Sequence, residues 1–297
     1  MMELVADIIV PTFNRHQAME RFFYENSILE QLPVHIWIID DCSTPPIKGH
    51  LPAWKNLTLI RLEENHGQAA ARNAAIARGV APVVISLDDD AWFASPVDPI
   101  AMIKDLFAKH PKAGCFMFNI ATPGSSYSSL PTGTILPLHV TCGCAYRREV
   151  LQMINGFSGF LHSQAEESDL SIRIYRAGYD ILFSREIQVF HNFVPLARPV
   201  SWYLKARHNT TRNDLLIVWM YYPAILVIPG IGYKWLSHLI FAVTNRIAVF
   251  RTLKGTLMAG LGFLSAISEA HRRRTPLTVR QWIRWYHLQR TYLMKNN

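Results

Sequence analysis

Acidic residues almost disappear from the last third of this 297-residue chain. Residues 196–297 hold only Asp214 and Glu269 against 15 Lys/Arg, whereas residues 1–195 hold 20 Asp/Glu against 15 Lys/Arg. The formal net charge of +8 therefore belongs to the C-terminal region. Cysteine is scarce as well. Cys42, Cys115, Cys142 and Cys144 follow no zinc-ligand spacing, and Cys142 and Cys144 are too close for an ordinary disulfide, so reduced thiols are expected. The stretch "PTFNRHQ" after the first apolar run contains no glycine, which argues against the phosphate loop of a nucleotidyltransferase. The start "MMELVADIIVPTF" shows no charged leader, long apolar stretch or small-residue cleavage site, so no signal peptide is expected there. No repeats or low-complexity tracts stand out. Half the residues are hydrophobic, enough for a sizeable core, and disorder is not the default reading.

Up to about residue 120, strand-like and helix-like runs alternate. "LVADIIV" (4–10), "VHIWII" (34–39), "LTLIRL" (57–62) and "PVVISL" (82–87) read as strands, while 15–32 and the Ala-rich 67–79 read as helices. Near-continuous apolar strands between helices imply a mostly parallel α/β sheet, in which ligands sit beyond the C-terminal strand ends. Those ends are polar here: "PTFNR", "DDCS", "EENHGQ" and "DDD". Further on, a helix over 98–110 begins at Asp98-Pro99, followed by a Ser/Gly/Pro-rich loop over 121–133. A strand at "CGCAYR" (142–147), a helix at 165–178 with acids in its first turn, and a last strand ending at His191 complete this region.

The acids carry the chemistry. Asp88, Asp89 and Asp90 close a strand on the presumed ligand rim, where an Asp-x-Asp pair can hold a hard divalent cation that bridges to diphosphate oxygens. Solvation alone would also explain three acids in a loop. Asp41 can accept hydrogen bonds from a base or ribose, and Arg72 can pair with Asp41, Asp88 or a phosphate. Glu166, Glu167 and Asp169 either complement a helix dipole or supply a general base.

In order and approximate spacing, "IIVPTFNR", "IIDDCS", "NHGQAAARN", "ISLDDD", "CGCAYRREVLQMINGF", "AEESDLSIRIYRAGYDI" and the terminal "FH" resemble the family 2 inverting glycosyltransferases of GT-A fold, bacterial cell-envelope type, over roughly residues 5–192. "SWYLKARHNTTRN" is similar to the stretch that follows the catalytic domain in many of them. The resemblance implies that Pro11, Thr12 and Asn14 line the nucleotide pocket, that Asp41 contacts the base, and that Arg72 supports the nucleotide or diphosphate. Asp88 and Asp90 would form the metal pair, Asp90 the direct ligand and Asp88 nearer the ribose, with His191 completing that site. Asp89 falls within the donor-binding set without a separate role, and Gly143 and Cys144 would wall the donor sugar. The family's Glu-Asp-x-Asp base motif reads Glu166-Glu167-Ser168-Asp169 here, which makes Glu167 the expected base; spacing leaves Glu166 open. The implied cofactor is Mg²⁺ or Mn²⁺. The implied donor is a UDP-, dTDP- or GDP-linked sugar, and the acceptor a glycan or lipid-linked hydroxyl. The rival readings are a degenerate nucleotide-binding scaffold and a polyprenyl-phosphate glycosyltransferase.

A division into a GT-A domain (1–196) and a helical region (197–297) is expected. Residues 215–233 carry no formal charge, nearly long enough to span a bilayer, but Pro223, Pro229, Gly230 and Gly232 interrupt them. Over 235–250 the apolar residues lie on one helical face, and the last 27 residues carry seven Lys/Arg and no acid. Helices lying in an anionic membrane interface, at the cytoplasmic face, fit this composition better than nucleic acid does. A homodimer through these helices is the alternative.

Overall fold

The computed structural model describes residues 3–95, 98–161, 163–193, 200–244 and 249–296. The chain divides into two compact units, Met1–His162 with Arg173–Val194, and Ser163–Ile172 with Pro195–Asn297. The expected boundary at 196/197 falls outside the described residues, and the segment 163–172 groups with the C-terminal helices.

The first unit is built on one eight-stranded sheet: β1 (Ala6–Thr12), β2 (Val34–Asp40), β3 (Leu57–Arg61), β4 (Val83–Leu87), β5 (Ala91–Phe93), β6 (Ala113–Ala121), β7 (Gly143–Arg147) and β8 (Asp180–His191). Their order across the sheet is β3-β2-β1-β4-β7-β6-β8-β5. The expected parallel arrangement holds for β3, β2, β1 and β4, and again between β6 and β8. The sheet as a whole is mixed, because β7 runs antiparallel to both β4 and β6, and β5 antiparallel to β8. Every residue of β1 and β4 is buried, as befits strands covered on both faces.

Helices cover the sheet through apolar faces. α1 (His16–Glu25) buries Met19, Phe22 and Phe23, spaced i, i+3, i+4. α2 (Gln68–Ile76) lies close to β1 and β2, its small buried residues Ala69, Ala71 and Ala75 permitting close approach. α3 (Pro99–Lys109) starts as expected, with Asp98 Oδ1 accepting from the N–H groups of Ile100 and Ala101. α4 (Arg148–Met153) follows β7, and α5 (Glu166–Arg176) precedes β8.

The second unit contains α6 (Val200–Tyr221), α7 (Ala224–Thr244), α8 (Val249–Arg272) and α9 (Val279–Asn296), with α6 packed along both α7 and α8. The uncharged run 215–233 is divided between α6 and α7 at Pro223, where a missing N–H and a fixed φ favour a break. Arg246 and Ile247, placed on the 235–250 helix from sequence, lie outside the described residues.

Candidate active site

Because β1 lies between β2 and β4 in parallel register, the segments after Thr12, Asp40 and Leu87 leave the sheet at one rim. The aspartate trio sits there, and two arginines and a histidine lie against it. Arg72, fully buried, donates from Nη2 to Asp88 Oδ1 at 2.7 Å and from Nε to Ser86 Oγ at 3.0 Å. Arg15, at the end of the β1 segment, places Nη1 3.1 Å from Asp89 Oδ1 and Nη2 2.5 Å from Asp90 Oδ2. His191 Nε2 lies 3.1 Å from Asp90 Oδ1 and 3.8 Å from Asp88 Oδ2. The short β5 explains how His191 arrives: Ala91 pairs with His191 across the β5–β8 ladder, and Asn192 N–H donates to the Asp90 carbonyl at 2.8 Å.

Adjacent carboxyls titrate apart as a result. Burial raises Asp89 to about 7, helped by the Asp90 charge and opposed by Arg15. Burial pushes Asp90 upward too, but hydrogen bonding to His191 and the Arg15 charge win and hold it at about 2. For His191, burial disfavours the charged ring, yet the Asp90 and Asp88 carboxylates raise its pKa above the ordinary value.

These residues fit a divalent cation. Asp88, Cys142 and His191 each offer a ligand atom, all within 4.8 Å of one another. Asp90 Oδ1 is buried and lies 3.1 Å from His191 Nε2, a carboxylate oxygen of the kind a hard cation takes. Cys142 was not a sequence candidate. It lies at the foot of β7, whose Gly143 pairs with Leu87, and this antiparallel pairing was the missing signal.

The remaining candidates occupy more structural positions. Asp41 accepts from the N–H groups of His66 and Gly67 at 2.8 and 2.9 Å, tying the β2 end to the start of α2. Asn14 adopts φ 55°, donates its N–H to Ser43 Oγ and accepts from Thr44 N–H at 2.7 Å, which joins the β1 and β2 loops. Thr12 donates its hydroxyl to Asp89 Oδ2 at 2.7 Å. Pro11 is buried within β1 opposite Ile39. A Cβ on Gly143 would lie 3.0 Å from Ile120 Cγ1, so core packing uses the space its missing side chain leaves. Cys144 is fully buried, and with Cys115 and His139 forms a second cluster of ligand-type atoms within 4.8 Å. There His139 Nε2 is 2.6 Å from the Tyr146 hydroxyl, and burial lowers the imidazole to about 3, which keeps it neutral. A cavity of about 450 Å³ opens at the opposite end of the sheet, beside Val5, Pro82 and Arg147, and none of the candidate residues line it.

Glu166, Glu167 and Asp169 form the first turn of α5, within the second compact unit. Glu166 is 4 % exposed, Asp169 is buried and accepts from the Tyr221 hydroxyl at 2.5 Å, and Glu167 is half-buried. Gln164 and Ala165, just before the helix, adopt φ 69° and 67°, unfavourable for residues with a side chain. α6 holds this turn: Asn213 Nδ2 donates to the carbonyls of Ser163 and Gln164 at 3.0 and 2.6 Å, and Asn209 Nδ2 to Ser163 Oγ at 3.0 Å. Arg15 thus joins the acidic rim of the first unit, and within the second unit Asn209, Asn213 and Tyr221 support the α5 turn, although none was singled out individually from sequence.

Residues 7–127 match the sequence model of the family described as Glycosyl transferase family 2. The match covers less than half of the chain and places a family 2 glycosyltransferase domain within those residues. A stretch of 96 residues is 34 % identical to the putative teichuronic acid biosynthesis glycosyltransferase TuaG of Bacillus subtilis (strain 168), covering 30 % of this chain and 37 % of that protein. The match thus spans little more than a third of that relative's length. Among solved structures, S. aureus TarS 1–349 in complex with UDP-GlcNAc superposes with a TM-score of 0.60 at 16 % identity, over 91 % of this chain and 83 % of that one. The mannosyltransferase PcManGT from Pyrobaculum calidifontis, in complex with GDP-Man and Mn²⁺, gives 0.57 at 16 % identity, over 90 % and 76 %. At such identities the likeness concerns the fold alone, which is GT-A.

Proposed function

We propose that this chain is an inverting glycosyltransferase that moves a sugar from a nucleoside-diphosphate donor to a hydroxyl of a glycan or lipid-linked acceptor in cell-envelope polysaccharide synthesis. The convergence of Asp88, Asp90 and His191 on one polar rim, with Arg72 and Arg15 behind them, carries this reading. Asp88, Asp90 and His191 would hold Mg²⁺ or Mn²⁺, which when bound offsets the charge that develops on the departing nucleoside diphosphate. Asp41, fixed by two backbone N–H groups, is the residue we assign to the donor's base, alongside Pro11, Thr12 and Asn14. Gly143 and Cys144 we place beside the donor sugar. Arg72 orients Asp88, and both arginines add positive charge where the leaving group accumulates negative charge.

Glu167 is our assignment for the general base. It is the one acid of this turn that is not buried, whereas Glu166 and Asp169 are 4 % and 1 % exposed. Removal of the acceptor proton at Glu167 permits attack on the anomeric carbon from the face opposite the diphosphate, a single displacement that inverts configuration. The intact acidic rim supports a catalyst over a degenerate binding module. Product analysis by NMR, after transfer from a nucleotide-sugar of known anomeric configuration, tests the stereochemistry. Inversion is expected, and retention would refute it.

We also place the second unit on an anionic membrane surface at the cytoplasmic side. α7 is the one described helix long and apolar enough to cross a bilayer, with mean hydropathy 1.4, and 11 % of that stretch is buried. Ile225, Ile228, Leu236, Ile240 and Val243 are exposed along it, and Leu257, Leu261 and Leu264 along α8. Each such side chain gains roughly 1.5–3 kcal/mol on leaving water. Lys234, midway along α7, would cost about 2.5–3.5 kcal/mol at a bilayer centre. Here it lies 3.2 Å from Asp214 of α6, beside His238 at 3.0 Å from the same oxygen. That paired edge supports a helix lying on the membrane with its apolar side down, in preference to one that spans it.

A further inference from the structure

The aspartate trio is largely charge-balanced before any divalent cation arrives. Arg72 engages Asp88 Oδ1, and Arg15 engages Asp89 Oδ1 and Asp90 Oδ2 with two different nitrogens. The oxygens left facing His191 are Asp88 Oδ2 and Asp90 Oδ1. The two arginines differ in freedom. Arg72 is fully buried and held by Ser86 and Asp88, whereas the Arg15 side chain is 35 % exposed on the rim.

We propose that Arg15 is the resident counter-cation of the trio, which keeps free divalent metal weakly bound and passes its charge to the donor diphosphate, so that metal and donor bind as a pair. The inference rests on the reading of Asp88–Asp90 as a metal–diphosphate site. A dication that enters alone meets two guanidinium groups a few ångströms away, around carboxylates they already neutralise. A diphosphate restores the balance, and the planar guanidinium fork suits phosphate oxygens as well as it suits carboxylates. This arrangement gives Asp89 a part. Buried and held by the Thr12 hydroxyl, it anchors Arg15 from below and leaves Asp90 Oδ1 turned toward His191. Arg15 is therefore a positioning residue toward the metal and a charge partner toward the donor.

The test is a titration of Mn²⁺ into the full chain, followed by the EPR signal of free Mn²⁺, alone and with UDP, GDP or dTDP present. The wild-type protein is expected to bind Mn²⁺ at least about tenfold more tightly with the matching nucleotide. Arg15→Met should bind Mn²⁺ more tightly than wild type without nucleotide and lose most of the nucleotide-linked gain. Arg15→Lys keeps the charge without the fork, so it should still suppress free-metal binding while recovering part of the gain. Unchanged Mn²⁺ affinity in Arg15→Met, with and without nucleotide, overturns the inference. So does a wild-type protein that binds Mn²⁺ equally well in both states, a comparison that needs no variant to fold. No Mn²⁺ binding in any state defeats the metal–diphosphate reading itself, a distinguishable result.

Discussion

Asp89 and Asp90 are neighbours in the chain and sit at opposite ends of the carboxyl range, about 7 and about 2. The difference comes from burial in one case and from His191 and Arg15 in the other, and it gives the two residues different work. In the proposed metal site Asp90 is the ionised ligand, so Asp90→Asn should weaken Mn²⁺ binding and lower metal-dependent turnover by about 100-fold or more, while the fold persists by circular dichroism. Glu167→Gln should reduce transfer by about 10²–10⁴-fold and leave donor binding intact by calorimetry. Should Glu166→Gln show that pattern and Glu167→Gln keep full activity, the base assignment is wrong. The aspartates could be read from sequence because an acid cluster at the end of an apolar strand is a local signal. Arg15 could not. In sequence it is one arginine after an asparagine in a turn, and its partners are 74 and 75 residues away. Only the parallel pairing of β1 with β4 brings them together.

At the scale of elements, the end of α2 is set by more than a helix-stopping glycine. A helix was expected over 67–79, and α2 stops at Ile76, three residues short of Gly79. A Cβ at Gly79 would lie 2.4 Å from Asp7 Oδ2 and 2.8 Å from Arg148 Nη2, inside the buried pair that links β1 to α4. Gly79→Ala should therefore destabilise the protein by about 2–4 kcal/mol in urea unfolding, well beyond an exposed Gly-to-Ala change. In the second unit, the edge between α6 and α7 depends on Asp214. Burial would raise its pKa, but His238 and Lys234 hold it below the ordinary carboxylate value. Its contribution is thus fully present above that ordinary value and is lost as the pH falls through the lower folded value. Asp214→Asn should cost about 1–3 kcal/mol at pH 7 and flatten the acid limb of the stability curve. An unaltered acid limb would show that the pair contributes nothing. The helices themselves were visible as apolar periodicity. The Arg207, Asp214, Lys234 and His238 network was not, since it needs two helices packed side by side.

For the whole molecule, the division into units matters to how function is tested. The start of α5, with the proposed base, is held by Asn209, Asn213 and Tyr221 of α6, so removal of the C-terminal helices would also release that turn. Asn209 and Asn213 of the "SWYLKARHNTTRN" stretch hold Ser163 and Gln164, the residues that lead into that helix. Membrane attachment is better probed in the full chain. Leu236→Asp with Ile240→Asp should abolish flotation with phosphatidylglycerol vesicles and leave donor binding unchanged. Undiminished flotation would contradict the proposed apolar face, and a dimer broken by the same changes without lipid would assign that face to a second copy. The proposed metal–diphosphate site is tested most directly by thermal unfolding with a panel of UDP-, GDP- and dTDP-sugars, with and without Mn²⁺ or Mg²⁺, in wild type and Asp90→Asn. At least one nucleotide-sugar should raise the melting temperature of wild type only when the metal is present, and Asp90→Asn should lose this response. A wild-type protein that no nucleotide-sugar stabilises, or an Asp90→Asn variant that responds as wild type does, would contradict it.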